Sequence, residues 1–306
     1  MKNSEIHSEE WITDAREYWW NEDYLKLILK RYNLENISSL ADIGCGEGYM
    51  SKKLIPHLKE LTTCYGRDFE QTHIDKAIEI LSKHKNVTFD FCACDANKIN
   101  INDNTVDLSV CQTLLLHVKN PLNVINEMKR ITKQNGTIMA IETNNSINSL
   151  VSNSILGTTS NTCQIDNIDD TLETLKYDLT IQKGVYNLGE GYLSIGDYLP
   201  KLFYEAGLKN IQVCILDKPS ALIPPYDTTE KKAIANELLS WIENSSSDYD
   251  YNQMLKYYLA GGGKENDFKL YWQKKQKQDN LVKNAILEEK YVMPGGALMY
   301  IVTANK

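Results

Sequence analysis

The sequence predicts an α/β fold, in which helices cover both faces of a mostly parallel sheet. Between residues 40 and 142, short apolar segments alternate with segments of helical periodicity, an order that requires crossover connections between parallel strands. The apolar segments are nearly continuous, as expected for strands buried on both faces. A glycine cluster, Gly44, Gly46 and Gly48, follows the first of them, where a strand turns into a helix.

The individual elements follow from periodicity and from turn residues. Strands are predicted at 40–43, 61–66, 87–94, 106–111, 137–142, 211–216 and 297–303, which makes a seven-stranded doubly wound sheet. Helices are predicted within 11–32 and at 49–58, 71–84, 121–132 and 195–206. Pro121 suits the first turn of a helix, Asn135-Gly136 suits a turn before the fifth strand, and Gly207 suits a helix end.

Two segments do not continue this alternation. The insert at 217–293 has helical patterns at 230–242, 251–260 and 268–287, whereas 143–195 is rich in Ser, Thr, Asn and Asp and is interpreted as irregular. We therefore divide the chain into a core, 1–216 with 294–306, and a helical insert, 217–293. Residues 1–36 form a helical cover within the core, and the insert is interpreted as a substrate lid.

Composition and charge exclude several classes of protein. The chain has 306 residues, and 33 Lys and Arg against 41 Asp and Glu give a net charge of −8, which disfavours nonspecific binding to nucleic acid or to a membrane surface. Seven scattered cysteines without a CxxC pair indicate reduced thiols and no metal site, so Cys92 and Cys94 are interpreted as core residues. The N-terminal residues are acidic and lack an apolar run, so we expect no signal peptide and a cytoplasmic location.

The glycine cluster indicates which ligand the first turn binds. Asp42-Ile43-Gly44-Cys45-Gly46-Glu47-Gly48 follows the first predicted strand, and glycines there let the backbone approach a ligand closely. Tyr49 interrupts the GxGxxG pattern of dinucleotide-binding loops, and the GxxxxGK[ST] pattern of nucleotide triphosphatases is absent. Nicotinamide, flavin and nucleoside triphosphate ligands are therefore disfavoured.

With the strand ends that follow, this loop resembles class I S-adenosylmethionine-dependent methyltransferases, whose first motif is an acidic residue followed by xGxGxG. The resemblance covers 11–142 and implies a Rossmann-like sheet with an antiparallel last strand and S-adenosylmethionine as the cofactor. It implies cofactor contacts at Asp42, Gly44, Cys45 and Gly46 in the loop, at Asp68 for the ribose, at Asp95 and Ala96 for the adenine, and at Gln112 and Thr113 for the methionine part.

Two of these assignments are less direct. Asp42 either polarises the amides of the loop or reaches the methionine ammonium through water. Arg16 and Tyr18 lie in an aromatic and basic segment that resembles the cover some family members fold over the cofactor.

The resemblance implies methyl transfer to an oxygen, nitrogen or carbon atom of a small molecule. The tyrosine-rich covering segments favour an aromatic or apolar acceptor. An RNA or protein methyltransferase and a non-catalytic cofactor-binding module are the alternatives. We expect no nucleic-acid or membrane partner and a monomer or homodimer.

An acceptor hydroxyl or ammonium must lose a proton, and four residues are candidates for that role: His117, Glu142, Tyr18 and Tyr192. The histidine at the position of His117 is more often a packed residue in this family. His57, His73 and His84 are placed on the solvent side of helices. Gly261-Gly262-Gly263 follows a helix and is interpreted as a lid hinge in preference to a plain helix cap.

Overall fold

The computed structural model describes residues 14–147, 168–244, 248–295 and 298–306. The chain forms two compact units, each assembled from three stretches of sequence. The sheet unit comprises Trp20–Thr143, Ser194–Asp217 and Met299–Lys306, and the helical unit comprises Met1–Trp19, Asn144–Leu193 and Lys218–Leu298. Almost all of the predicted insert, from Lys218 onward, belongs to the helical unit, which also contains residues 144–193 and the N-terminal residues.

Seven strands form the centre of the sheet unit, in the order β3-β2-β1-β4-β5-β7-β6. They are β1 (Ser39–Ile43), β2 (Thr63–Asp68), β3 (Thr88–Ala93), β4 (Val106–Gln112), β5 (Thr132–Thr143), β6 (Lys209–Ile215) and β7 (Met299–Asn305). β1 to β5 pair in parallel, and β7 is antiparallel to both of its neighbours, β5 and β6. The predicted Rossmann-like α/β fold with an antiparallel last strand is confirmed.

Helices and short 3-10 turns connect the strands. The α-helices are α1 (Glu22–Arg31), α2 (Tyr49–Leu54), α3 (Gln71–Leu81), α4 (Pro121–Ile131), α5 (Ile168–Leu188), α6 (Leu199–Glu205), α7 (Thr229–Asn244), α8 (Asp248–Ala260) and α9 (Glu265–Leu287). The 3-10 turns are Asp14–Tyr18, Ile55–His57, Leu115–His117 and Ile195–Asp197. α5 and α7 to α9 belong to the helical unit, and the other α-helices belong to the sheet unit.

β5 begins five residues before its predicted start. Its pairing with β4 shifts register, because Val106 pairs with Thr132 whereas Leu108 pairs with Thr137. Asn135 has a φ of 64°, and a Cβ added at Gly136 would lie 2.9 Å from the carbonyl oxygen of Asp107. The prediction of a turn at Asn135-Gly136 before the strand is therefore wrong, since these residues form an irregularity inside β5.

The interpretation of 143–195 as irregular is also wrong, because α5 occupies its second half. The sequence hides this helix, since its buried positions combine Tyr177 and Val185 with Gln182 and Gly184, which gives a weak apolar periodicity. Its partners lie far along the chain. The ring of Tyr177 stacks on that of Tyr271 with centroids 3.6 Å apart, and it also packs in a buried cluster with Tyr258, Phe268 and Trp272.

Glycines bring α5 and α8 into direct backbone contact. A Cβ at Gly184 would lie 1.7 Å from the carbonyl oxygen of Tyr257, and one at Gly261 would lie 1.9 Å from that of Thr180. The amide of Gly263 donates to the carbonyl of Tyr258 at 2.9 Å, as in a helix C-cap. These contacts favour the cap interpretation of Gly261-Gly262-Gly263 over the hinge.

Candidate functional site

The glycine turn at the carboxyl end of β1 is the centre of the candidate site. The amides of Gly44 and Cys45 both donate to the carbonyl of Arg67 on β2, at 2.7 and 3.1 Å. Gly44, Gly46 and Gly48 have φ values of 68°, 51° and 78°. This backbone conformation disfavours side chains, so the glycines are required by the path of the chain as well as by any ligand.

The three glycines differ in the space next to them. A Cβ at Gly44 would lie 2.8 Å from the side chain of Leu114, and one at Gly48 would lie 3.0 Å from that of Leu81. A Cβ at Gly46 would meet nothing within 4 Å. The turn therefore has one open position, at Gly46, where a bound molecule can approach the bare backbone.

Asp42 holds the helix that follows the turn. Its Oδ2 accepts hydrogen bonds from the amide and the hydroxyl of Ser51 in the first turn of α2, at 3.0 and 2.7 Å. Burial raises the pKa of Asp42 to about 6, while the bonds from Ser51 oppose that rise. Asp42 is thus committed to the amide of Ser51 beyond the glycine turn, a partner that the motif did not reveal.

Asp68, the last residue of β2, reaches the open part of the glycine turn. Its Oδ2 accepts the amide of Gly46 at 2.8 Å, and its Oδ1 accepts the amide of Glu70 at 3.0 Å. His73 Nδ1 lies 3.3 Å from the same Oδ1. A carboxylate has about four acceptor positions, so Asp68 both supports the turn and retains capacity for a ligand hydroxyl.

The prediction that His73 faces solvent is wrong. Its side chain is only 4% exposed, because the first turn of α3 packs it beside Asp68. His57 and His84 are half-buried. His57 forms a hydrogen bond with Glu22 at 2.9 Å, and the Nε2 of His84 is buried. Helical periodicity placed these residues on helices but did not show what covers them.

Asp95 and Ala96 follow β3, the edge strand next to β2. Asp95 is exposed, and its Oδ1 accepts the amide and the side-chain NH₂ of Asn97, at 2.8 and 3.0 Å. This turn keeps the Asp95 carboxylate at the carboxyl edge of the sheet, where the resemblance expects the adenine contact.

Gln112 ends β4, on the other side of β1, and Thr113 follows it. Asp42 pairs with Val110, so continuing the register two residues brings Gln112 level with Gly44. The side chain of Gln112 is buried, and its Oε1 accepts the indole N–H of Trp20 at 3.1 Å. Thr113 has a φ of 52°, which marks the point where the chain leaves the strand. Trp20 ends the aromatic and basic segment that resembles a cofactor cover, but no sequence pattern indicated its contact with Gln112, which lies 92 residues away.

Glu142, near the end of β5, forms hydrogen bonds to the backbone of the turn after β4. Its Oε1 accepts the amides of Leu114 and Leu115 at 2.9 and 2.6 Å. Its Oε2 is buried and has no hydrogen-bond partner among the described residues. Burial raises the pKa of Glu142 to about 8, although the bonds from the Leu115 and Leu114 amides lower it. Burial therefore favours the neutral form of this carboxyl group.

The other predicted residues are distributed over both units. His117 is exposed at the end of the turn Leu115–His117, in the sheet unit. Arg16, Tyr18 and Tyr192 belong to the helical unit, where the guanidinium of Arg16 lies 4.8 Å from the ring centre of Trp19. Their assignments to cofactor binding or catalysis stay predictions.

Two further features concern ligands and membranes. Within residues 14–147, 168–244, 248–295 and 298–306, no group of three or more His, Cys, Asp and Glu side chains is arranged to hold a metal ion. Over the same ranges, every helix is too short or too polar to cross a membrane.

Comparisons with known proteins agree with this geometry. A family model described as a methyltransferase domain matches residues 36–207, more than half of the chain. This span includes the glycine turn and the ends of β2, β3 and β4. The match confirms the predicted class of enzyme, an S-adenosylmethionine-dependent methyltransferase, and with it the predicted methyl donor. No curated protein sequence matches the chain.

Solved structures include similar folds. A candidate methyltransferase from Bacillus halodurans C-125 is 12% identical, with a TM-score of 0.51, over 93% of this chain and 99% of that one. An S-adenosylmethionine-dependent methyltransferase from Aquifex aeolicus is 23% identical, with a TM-score of 0.38, over 42% of this chain and 68% of that one. At 12% identity, the likeness to the Bacillus halodurans protein concerns the fold alone.

Proposed function

We propose that this chain, which belongs to the methyltransferase-domain family, transfers a methyl group from S-adenosylmethionine to a small organic acceptor. The observation that carries the proposal is the open position at Gly46 beside the carboxylate of Asp68, whose Oδ2 is 2.8 Å from the Gly46 amide. A bare backbone next to a carboxylate suits a ligand that combines a flat adenine with neighbouring ribose hydroxyls.

Different residues of the sheet unit are proposed to bind different parts of S-adenosylmethionine. S-adenosylmethionine, when bound, supplies an electrophilic methyl group on a positively charged sulfur. The side chain of Asp68 accepts hydrogen bonds from the ribose, and Asp95 with Ala96 borders the adenine. Gln112 and Thr113 border the amino-acid end. Because the leaving group of the transfer is a neutral thioether, the protein contributes mainly position and exclusion of water.

Charge on the helical unit favours a small acceptor over RNA. Eight of its lysines lie within 3.3 Å of a carboxylate oxygen: Lys218, Lys231, Lys256, Lys269, Lys274, Lys275, Lys283 and Lys290. Binding to a phosphate backbone draws on cations that are free to replace counterions. Lysines already paired with Asp or Glu serve that purpose poorly, and the whole chain has a net charge of −8.

The helical segment between β6 and β7 is proposed as a lid over the acceptor. β6 and β7 are antiparallel neighbours, and two to five residues suffice to join such strands. The chain instead inserts Lys218–Leu298. It leaves β6 at the carboxyl edge of the sheet, the same edge that carries the glycine turn, because β6 runs parallel to β1. An insert that starts at this edge can exclude water from a bound acceptor.

The group that accepts the acceptor's proton is proposed to be His117 or a tyrosine, Tyr18 or Tyr192. Glu142 is less suited to that role, since its side chain is buried and its Oε1 already accepts two backbone amides. His117 is exposed at the end of the turn that Glu142 holds. An acidic acceptor needs no base at all.

The test is methyl transfer from isotopically labelled S-adenosylmethionine into fractions of a cell extract. Purified protein is incubated with the metabolite filtrate, with total RNA and with the protein fraction separately. The proposal expects label in the metabolite filtrate. The Asp68→Ala variant, which should bind the donor weakly, is the matched control.

Label in RNA or in protein would overturn the small-molecule assignment. If the donor binds but label enters no fraction, the chain is a non-catalytic cofactor-binding module.

A further inference from the structure

The hydrogen bond between Trp20 and Gln112 determines which end of the glutamine amide faces the site. An indole N–H donates and cannot accept, so the atom of Gln112 that meets it must be the carbonyl oxygen. The structure has this arrangement, with Trp20 Nε1 donating to Gln112 Oε1 at 3.1 Å. The NH₂ group of Gln112 is left as a donor for another partner.

Both side chains are held firmly enough for this orientation to persist. Trp20 is 3% exposed and Gln112 is 8% exposed, so turning the amide would leave its buried oxygen without a donor. Helix α1, which follows Trp20, is tied to β6 by Tyr24, whose hydroxyl donates to the carbonyl of Ile215 at 2.7 Å. Asn21 donates to Asp217 at 3.1 Å. These contacts keep Trp20 at the carboxyl edge of the sheet.

An NH₂ group with a fixed orientation selects among the polar groups of S-adenosylmethionine. The amino-acid end of S-adenosylmethionine carries a carboxylate, which accepts hydrogen bonds, and an ammonium, which only donates. The Gln112 NH₂ group matches the carboxylate and repels the ammonium.

We propose that Trp20 is a positioning residue, which fixes the amide of Gln112 so that its NH₂ group donates to the carboxylate of S-adenosylmethionine. This inference rests on the proposed function, because it needs that molecule to lie in the glycine turn. It adds a residue outside the matched methyltransferase domain to the binding machinery, since that match begins at residue 36.

Two ligands separate this role from a merely structural one. S-adenosylhomocysteine has the amino-acid end, and 5′-methylthioadenosine has the same thioether and adenosine without it. Isothermal titration calorimetry measures the dissociation constants of both ligands for the wild-type chain, Trp20→Phe and Gln112→Glu, with Trp241→Phe as the control. Trp20→Phe keeps an aromatic ring but removes the N–H, and Gln112→Glu keeps an acceptor for Trp20 but replaces the NH₂ with an oxygen.

We expect Trp20→Phe to weaken the binding of S-adenosylhomocysteine about tenfold, which is the effect of losing one hydrogen bond to a charged group. Gln112→Glu should weaken it at least as much, because two carboxylates then oppose each other. Methylthioadenosine should bind both variants within about twofold of the wild-type affinity, and Trp241→Phe should bind both ligands normally. Thermal unfolding of each variant checks that it is folded.

Equal losses for the two ligands would overturn the inference, since they would show a general disturbance of the site. Unchanged binding of S-adenosylhomocysteine to both variants would overturn it as well. A wild-type chain that binds neither ligand contradicts the proposed function itself, which distinguishes that failure from the failure of this inference.

Discussion

At the scale of single residues, the site depends on carboxyl groups in three different states. Asp68 is partly exposed and supports the Gly46 amide. Asp42 is buried, accepts a hydrogen bond from Ser51 and has a pKa raised to about 6. Glu142 is buried and has a pKa raised to about 8. The difference follows from burial, which penalises the charged form of a carboxyl group, and from the number of donors that each one meets.

Replacing Asp68 should reduce cofactor affinity strongly. Asp68→Ala removes the carboxylate proposed to bind the ribose and the acceptor for the Gly46 amide, so we expect a loss of about 2 to 4 kcal/mol in binding S-adenosylhomocysteine. Calorimetric titration measures the change. Asp75→Ala, an exposed acid on α3, is the control and should bind normally. Equal affinities for wild type and Asp68→Ala would contradict the assignment.

Glu142 should make the stability of the protein depend on pH. The pKa of a glutamate is about 4.3 in an unfolded chain and about 8 here, so the folded state holds the proton while the unfolded state releases it. Stability from the neutral carboxyl is complete below pH 4 and declines as pH rises towards 8. Glu142→Gln cannot titrate and keeps an acceptor for the Leu114 and Leu115 amides.

Urea unfolding at pH 5, 6, 7 and 8 measures this effect as the difference in free energy between the two proteins. As the pH rises, the wild type should lose stability relative to Glu142→Gln by up to about 1.4 kcal/mol per pH unit. Asp42 titrates in both proteins and cancels. Parallel pH profiles would show that Glu142 is charged in the folded state.

At the scale of elements, the glycine turn and the α8 cap show that glycines in one chain serve different purposes. Gly184 and Gly261 permit close contact between helices. Gly44 permits a positive φ and also leaves room for the side chain of Leu114. Gly46 and Gly262 have positive φ and open space beside them, but only Gly46 lies next to Asp68.

This pair gives a matched test of the open position. Gly46→Ala and Gly262→Ala should each lose roughly 1 to 2 kcal/mol of stability, because both residues have positive φ. Only Gly46→Ala should weaken the binding of S-adenosylhomocysteine, by about tenfold or more, because the methyl group of the alanine occupies the space proposed for the ligand. Thermal unfolding and calorimetry measure the two effects. Similar affinities for the two variants would mean that the ligand does not pass Gly46.

At the scale of the whole molecule, each unit is interrupted by the other along the chain. The helical unit has a buried cluster that joins Ala15, near the N-terminus, to Leu222, Ile234 and Ile286. A second cluster joins α5 to α8 and α9 through Tyr177. The members of each cluster therefore come from segments that lie far apart along the chain.

Removing the insert should therefore expose apolar surface. If an Asn-Gly hairpin replaces Lys218–Leu298, β6 and β7 can still pair, but Ala15 and Tyr177 lose their partners. We expect binding of a hydrophobic dye such as anilinonaphthalene sulfonate and aggregation on sedimentation, with the full chain as reference. A monodisperse variant without dye binding would show that residues 14–19 and α5 do not need the insert.

Local patterns in the sequence sufficed for the parallel strands, the glycine turn and the order of the strand-end residues, because alternation, periodicity and turn chemistry act over a few residues. The same patterns failed where long-range contacts decide. α5 is stable through partners about 80 to 95 residues away, Tyr258, Phe268 and Tyr271. β5 continues past Asn135-Gly136 because β4 pairs with Thr132 and Thr137, on either side of them.

The sequence by itself determined that this chain is a methyltransferase, because short motifs carry the resemblance, and it predicted a cofactor site at the ends of the first strands. Only the tertiary structure decided the state of each group there. The burial of His73, the raised pKa of Glu142 and the orientation of the Gln112 amide depend on neighbours up to 92 residues distant. Solvation and hydrogen bonding act through space, and motifs record only positions along the chain.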